Sequence, residues 1–195
     1  MERRSLCIQD FPIPVQSVPL EMFEDPLIQK IHSCGSIQNY LDTTDDYDDC
    51  DEIPEIDDIR MEVFKARFRA DFAFWAYFEI RIEDKTTGRM VPFKLNRPQI
   101  IVLEICEQLR REGKPINLII CKARQWGGST FCIFYQMWLA LKHKESHSFV
   151  VAAQNKTVAK SIVRMLTQAV KSYPAWDLGL PEEESLTLVN VDDTC

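Results

Sequence analysis

The residues whose types and spacing suit chemistry in this 195-residue chain run Lys122-Ala123-Arg124-Gln125-Trp126-Gly127-Gly128-Ser129-Thr130, and the chemistry they suit is phosphate binding. An apolar run, residues 116–121, precedes them, and a second apolar run begins at Phe131. A phosphate loop needs a strand that ends, backbone N–H groups that converge on an anion, and a helix whose positive N-terminus faces the same point. Lys122 supplies an ammonium able to swing across the loop to the terminal phosphates. Arg124 supplies a permanently charged, forked donor suited to a γ-phosphate or to charge developing during its transfer. These two are the candidate catalytic residues. Gly127 and Gly128 leave the backbone bare enough to approach phosphate oxygens, Ser129 stands where a hydroxyl ligates Mg²⁺, and Thr130 can help hold the α-phosphate. The whole stretch, Lys122 through Thr130, is the candidate cradle for Mg²⁺ and ATP.

The loop departs from the usual G-x-x-x-x-G-K-[ST] pattern in two places. Aligned on Gly127 and Ser129, the lysine position holds Gly128 and the first glycine position holds Lys122, which makes Lys122 a relocated phosphate lysine. A second reading stays open at this level: Gly-Gly followed by Ser-Thr before a helix also makes a tight turn and an N-cap.

The segment 122–130 resembles the deviant phosphate loop of phage terminase large subunits, the ATP-driven motors that package double-stranded DNA into procapsids. Upstream, Asp71-Phe72-Ala73-Phe74-Trp75-Ala76-Tyr77-Phe78, Asp84-Lys85-Thr86-Thr87-Gly88 and Pro92-Phe93-Lys94-Leu95-Asn96-Arg97-Pro98-Gln99 are similar to the N-terminal ATPase region of terminases from phages of gut bacteria. The resemblance covers roughly residues 60–174 and is most specific over 96–130. It implies that Gln99 contacts the adenine ring, since a carboxamide donates and accepts at once as the adenine edge requires. Gln99 also reads as a first-turn helix residue after Asn96 and Pro98, and Lys94 and Arg97 read as solvated charges. For the parent protein the resemblance implies ATP hydrolysis, double-stranded DNA as cargo, portal and small terminase subunit as partners, the host cytoplasm as location, and a separate nuclease domain.

An ATPase of this class needs a second motif, an apolar strand ending in Asp-Glu, to hold Mg²⁺ and orient the attacking water. The candidate, residues 186–193, carries Asn190 inside the strand and ends in Asp192-Asp193. The chain therefore reads as the front portion of a motor ATPase, able to bind ATP and lacking the full catalytic set. Two other readings are a helicase-like DNA translocase with the same nucleotide core, and a non-catalytic interaction module whose loop is a vestige.

Composition frames these readings. With 46% hydrophobic and 27% charged residues the chain is an ordinary globular mixture, and no apolar run reaches the ~18 residues of a membrane helix. Arg3 and Arg4 are followed by no apolar segment of signal-peptide length, which places the expected location in the cytoplasm. The seven cysteines form no C-x-x-C pair, and His32, His143 and His147 form no catalytic constellation. Cys106, Cys121 and Cys132 read as small core residues. The net charge of −7 divides unevenly: 16 acidic and 4 basic residues through Glu62, a net of −12, against 14 and 19 after it, a net of +5. Most of the acid lies in residues 42–58, read as a solvated linker or, alternatively, as a partner-binding arm. Lys65, Arg67, Arg69 and Lys114 are a scattered basic set available for DNA contact.

The elements that must position the loop follow from periodicity. Residues 1–59, with five prolines and one weak helical stretch near residues 27–31, read as an acidic, extended, partly ordered arm. Residues 60–195 read as an incomplete P-loop ATPase domain. Within it, 60–76 is helical, 77–82 and 89–93 form a hairpin around the turn 84–88, and 99–110 shows a helical face of Ile101, Val102, Ile105 and Leu109. Residues 116–121 are a continuous apolar run, as expected of a parallel strand covered on both faces. A buried helix over 129–141, a strand over 149–153 and an amphipathic helix over 158–170 follow. The predicted fold class is α/β, the beginning of a P-loop NTPase doubly wound parallel sheet, preceded by the arm and by the helix plus β-hairpin.

Overall fold

A computed structural model describes residues 2–43, 54–84, 86–121, 126–143, 156–171 and 173. The chain divides into two compact units, Met1–Asp71 and Phe72–Cys195. Among the described residues it is a mixed α/β protein with seven α-helices and two small antiparallel sheets.

The first unit opens with β1 (Arg3–Cys7) paired to β2 (Val15–Pro19) in the register Ser5 to Ser17. A short 3-10 helix, Leu20–Glu24, leads to α1 (Pro26–Cys34), then α2 (Ile37–Thr43) and α3 (Ile56–Ala70). Each helix start has an identifiable cap. Asp25 accepts from the Leu27 and Ile28 amides with Pro26 at the first turn. The two carboxylate oxygens of Asp10 accept from the Ile37 and Gln38 amides at 2.8 Å each, and Glu55 and Asp58 close a capping box on α3. Leu6, Ile8, Val18, Met22, Ile28, Ile31, Ile37 and Val63 are essentially fully buried together. The extended arm expected over 1–59 is thus corrected: residues 2–43 and 54–71 build a packed unit whose boundary falls at Asp71. The prolines do not prevent this because they punctuate it. Pro19 ends β2, Pro26 starts α1, and Pro14 lies in the link between the strands and accepts from the Ile8 amide. Residues 44–53, most of the acidic run, lie outside the described residues.

The second unit begins with α4 (Phe72–Glu79), so the single helix expected over 60–76 is two helices broken at Asp71. Asp71 is buried and takes Arg3 at 2.7 Å and Arg67 at 3.8 Å. The expected hairpin is present as β3 (Arg81–Glu83) and β4 (Met90–Pro92), with Ile82 opposite Val91; its first strand is shorter than expected because α4 runs on to Glu79. Asp84 nucleates the turn by accepting from the Thr86 and Thr87 amides, and these bonds hold its carboxyl below the usual carboxylate range. Three helices follow: α5 (Arg97–Arg111), α6 (Gly128–Lys142) and α7 (Lys156–Lys171). Phe72, Trp75, Phe93, Phe131, Phe134 and Trp138 form an aromatic core, with Phe72 edge-on to Phe131 at 5.7 Å and to Tyr135 at 5.3 Å.

Three expectations meet a different structure here. Residues 116–121 are irregular and largely exposed, with Ile119 99% exposed, where a doubly covered strand was expected. A parallel strand needs flanking strands to satisfy its backbone, and no parallel pairing occurs among the described residues; the expected strand 149–153 and the candidate motif 186–193 lie outside them. On α5 the buried residues are Gln99, Leu103, Cys106 and Glu107, while Ile101 and Ile105 of the expected apolar face are exposed. Of the three cysteines read as core, Cys106 is buried and Cys121 and Cys132 are exposed.

Candidate functional site

The site is built at the N-terminus of α6. Gly127 is the N-cap and holds φ 81, ψ 19, the left-handed region that glycine enters without steric cost. Its carbonyl accepts the first helical bond, from Phe131 N at 3.0 Å. The amides of Gly128, Ser129 and Thr130 precede that bond and have no helical partner, and no side chain among the described residues caps them. Both glycines are demanded by space as well. A Cβ at Gly127 would lie 2.8 Å from Gln99 Nε2, and one at Gly128 would lie 2.6 Å from the Trp126 ring. Ser129 is exposed and Thr130 half-exposed at the helix head. Lys122, Ala123, Arg124 and Gln125 lie outside the described residues.

The start of α5 holds this turn through a reciprocal arrangement of two amides. Asn96 Oδ1 accepts from Gln99 N at 3.0 Å and Gln99 Oε1 accepts from Asn96 N at 2.9 Å, closing a capping box. The nitrogen ends of the same side chains reach across: Asn96 Nδ2 donates to the Trp126 carbonyl at 2.9 Å and Gln99 Nε2 to the Gly127 carbonyl at 3.0 Å. Gln99 is 2% exposed. The carboxamide that the resemblance assigns to adenine is therefore engaged at both ends by backbone.

Farther along α5 and α6 a second polar contact joins them. The buried Glu107 accepts from the Tyr135 hydroxyl at 2.7 Å and pairs with Arg110 at 2.8 Å. Burial, then the Glu107 charge, raises the Tyr135 phenol well above its ordinary range, so it stays a neutral donor. Burial likewise pushes the neighbouring Cys106 thiol up to about 11, with Cys132 and Glu107 adding to the shift.

In front of the turn lies a cleft of about 1140 Å³. Its floor is residues 126–130 with Asn96 and Gln99; one wall is the hairpin with Arg81, Glu83 and Asp84; Lys94 and the α7 side chains Lys160, Ser161, Arg164 and Gln168 complete it. Among the described residues four cations and two carboxylates thus line the cleft. Arg164 meets Glu83 at 3.8 Å with both side chains mostly exposed, an ion pair worth little in water. A cleft with this charge balance beside three open amides suits an anion of several charges. For a divalent cation it offers the Ser129 hydroxyl and the rim carboxylates Glu83 and Asp84; no group of three metal-ligating side chains occurs among the described residues.

The structure therefore brings Gln99, Trp126, Gly127, Gly128, Ser129 and Thr130 together. It adds residues that the sequence did not single out, Lys160 and Arg164, and returns Lys94 to the cleft wall. The available signal was the spacing of Lys156, Lys160 and Arg164, four apart along one line of an amphipathic helix. The basic set considered for DNA is engaged otherwise. Lys65 pairs with Glu62, Arg67 with Asp71 and Gln16, Arg69 with Asp25, and Lys114 with Glu112. Among the described residues no helix is long and apolar enough to cross a membrane. No protein-family model matches the sequence, and no curated protein or solved structure is significantly similar to it.

Proposed function

We propose that the cleft at the head of α6 binds the polyphosphate of Mg²⁺-ATP, and that the chain is the N-terminal ATPase portion of a phage or prophage terminase large subunit. In this reading Lys122 and Arg124 contact the phosphates, Ser129 the Mg²⁺, and the open amides of residues 128–130 the phosphate oxygens, with Lys160 and Arg164 adding positive charge from α7. The parent would move double-stranded DNA in the host cytoplasm, working with a portal and a small terminase subunit. The observation that carries the phosphate reading is the bare Gly127-Gly128 turn, which opens the first-turn amides of α6 onto a cleft faced by Lys94, Lys160 and Arg164. The motor assignment rests on the sequence resemblance.

The test is thermal melting with and without Mg²⁺ and a non-hydrolysable ATP analogue, repeated with Lys122→Ala. A ligand at 100 times its dissociation constant stabilises the native state by about 2.7 kcal/mol. A shift of that size that vanishes in Lys122→Ala supports the reading; no shift in the natural chain removes it.

A further inference from the structure

Asn96 and Gln99 are chosen for more than capping α5. A carboxylate at either position would accept the same backbone N–H and close the same box, as the Glu55 and Asp58 pair does on α3. Only an amide accepts with its oxygen and donates with its nitrogen. Here both nitrogens donate to consecutive carbonyls of the phosphate turn, Trp126 and Gly127. The orientation of each amide follows from its surroundings, since reversing either would set nitrogen against N–H and oxygen against carbonyl. Gly127 O receives two donors, Gln99 Nε2 and Phe131 N, each at 3.0 Å. That carbonyl fixes the peptide plane leading into Gly128, and with it the direction in which the open amides point. Gln99 is buried, so no exposed carboxamide edge is presented to a base.

We propose that Gln99, assisted by Asn96, is a positioning residue that sets the phosphate turn, and that the cleft recognises a polyphosphate without reading its base through Gln99. This rests on the phosphate-cleft reading, and it departs from the adenine-contact role that the resemblance implies.

The isosteric variant Gln99→Glu separates the roles. Its carboxylate still accepts from Asn96 N, keeping the α5 cap, and it faces the Gly127 carbonyl without a proton to donate. In the ligand-free full chain at pH 7, amide exchange at Phe131 should rise by about tenfold, the scale of one buried hydrogen bond, while the α5 amides keep their protection. The excess over the natural chain should shrink as pH falls and the new carboxyl gains a proton, since the acid can donate again. A turn held only by bulk would show no such pH profile. Asn96→Asp, at an exposed position, should do the same to a smaller degree. Binding of Mg²⁺ complexes of an ATP analogue, a GTP analogue and inorganic tripolyphosphate should weaken by one common factor in Gln99→Glu. Weakening confined to the adenine nucleotide, or natural exchange at Phe131 in both variants, overturns the proposal. Binding of none of the three by the natural chain would remove the phosphate reading, and Phe131 exchange would still decide the positioning role.

Discussion

Gly127→Ala is the perturbation that tests the geometry of the turn most directly, because a matched control exists in the same unit. Gly113, just beyond α5, holds φ 64 with nothing within 4 Å of an added Cβ, whereas Gly127 at φ 81 would place its Cβ 2.8 Å from Gln99 Nε2. A non-glycine residue in the left-handed region costs about 1–2 kcal/mol, and Gly113→Ala should cost no more. Gly127→Ala carries the same backbone term and also displaces the Gln99 carboxamide. Displacement breaks the part-buried hydrogen bond to the Gly127 carbonyl and leaves the donor of a buried side chain unsatisfied, adding about 1–3 kcal/mol. The expected total is roughly 2–5 kcal/mol, and each kcal/mol lowers the melting temperature by about 4 °C in a unit of this size. Urea and thermal melting followed by tryptophan emission report on the right unit, since Trp75, Trp126, Trp138 and Trp176 all fall within Phe72–Cys195. A double-mutant cycle closes the argument. With Gln99→Ala already present the added methyl meets no amide, so the cost of Gly127→Ala should fall to that of Gly113→Ala. Equal costs for the two glycines, or a cost for Gly127→Ala that ignores the Gln99 background, would refute the placement of the carboxamide against the turn.

Two further outcomes follow from burial and ionisation. The Cys106 thiol is raised from its ordinary value of 9.0 to about 11; a group raised in the folded state contributes stability that is whole below the unfolded pKa and is lost as pH rises through the folded one. Stability should therefore fall between pH ~9 and ~11 with a one-proton component that Cys106→Ala removes, and at pH 8 iodoacetamide should modify the exposed Cys121 and Cys132 well before Cys106. In the first unit Ile31 is completely buried, so Ile31→Ala should cost about 2–5 kcal/mol through lost burial and a residual cavity, read by far-UV circular dichroism during denaturation; a cost below 1 kcal/mol would mean that the core around α1 is not packed as described.

What the sequence revealed was whatever its local chemistry encodes. The hairpin was legible because Asp84, Thr86, Thr87 and Gly88 carry their turn within five positions, and Asp84 accepts from its own neighbours. The spans of α5, α6 and α7 were legible because each repeats apolar residues over about four turns, and α5 announces its start with Asn96, Pro98 and Gln99. The first unit was legible only at α1 and α3. Outside α3, whose Ile59, Val63, Ala66 and Ala70 keep a helical spacing, its core draws one or two residues from each of several short elements, so no window before residue 56 holds a sustained period, and the prolines that looked like breakers sit at the boundaries between elements. The break between α3 and α4 was hidden for a different reason. Residues 72–78 are all aromatic or alanine, a run that fits helix or strand equally, and what fixes the boundary is Asp71, whose partner Arg3 is 68 residues away.

The misread face of α5 shows how the site itself escaped local pattern. Periodicity chose Ile101 and Ile105, and the molecule buries Gln99 and Glu107 in their place. Those two polar residues are eight apart, about 12 Å along one face of the helix, and each is buried because a distant group satisfies it: the Gly127 carbonyl for one and the Tyr135 hydroxyl for the other, which also pairs with Arg110 one turn along α5 itself. Burying an unsatisfied amide or carboxylate would cost more than burying an isoleucine gains, so the face that α5 turns inward is decided by where acceptors and donors stand on α6. The same two contacts fix the head of α6 and its third turn against one helix. In the proposed phosphate role the turn would need that rigidity to aim its backbone amides, because a glycine pair has none of its own.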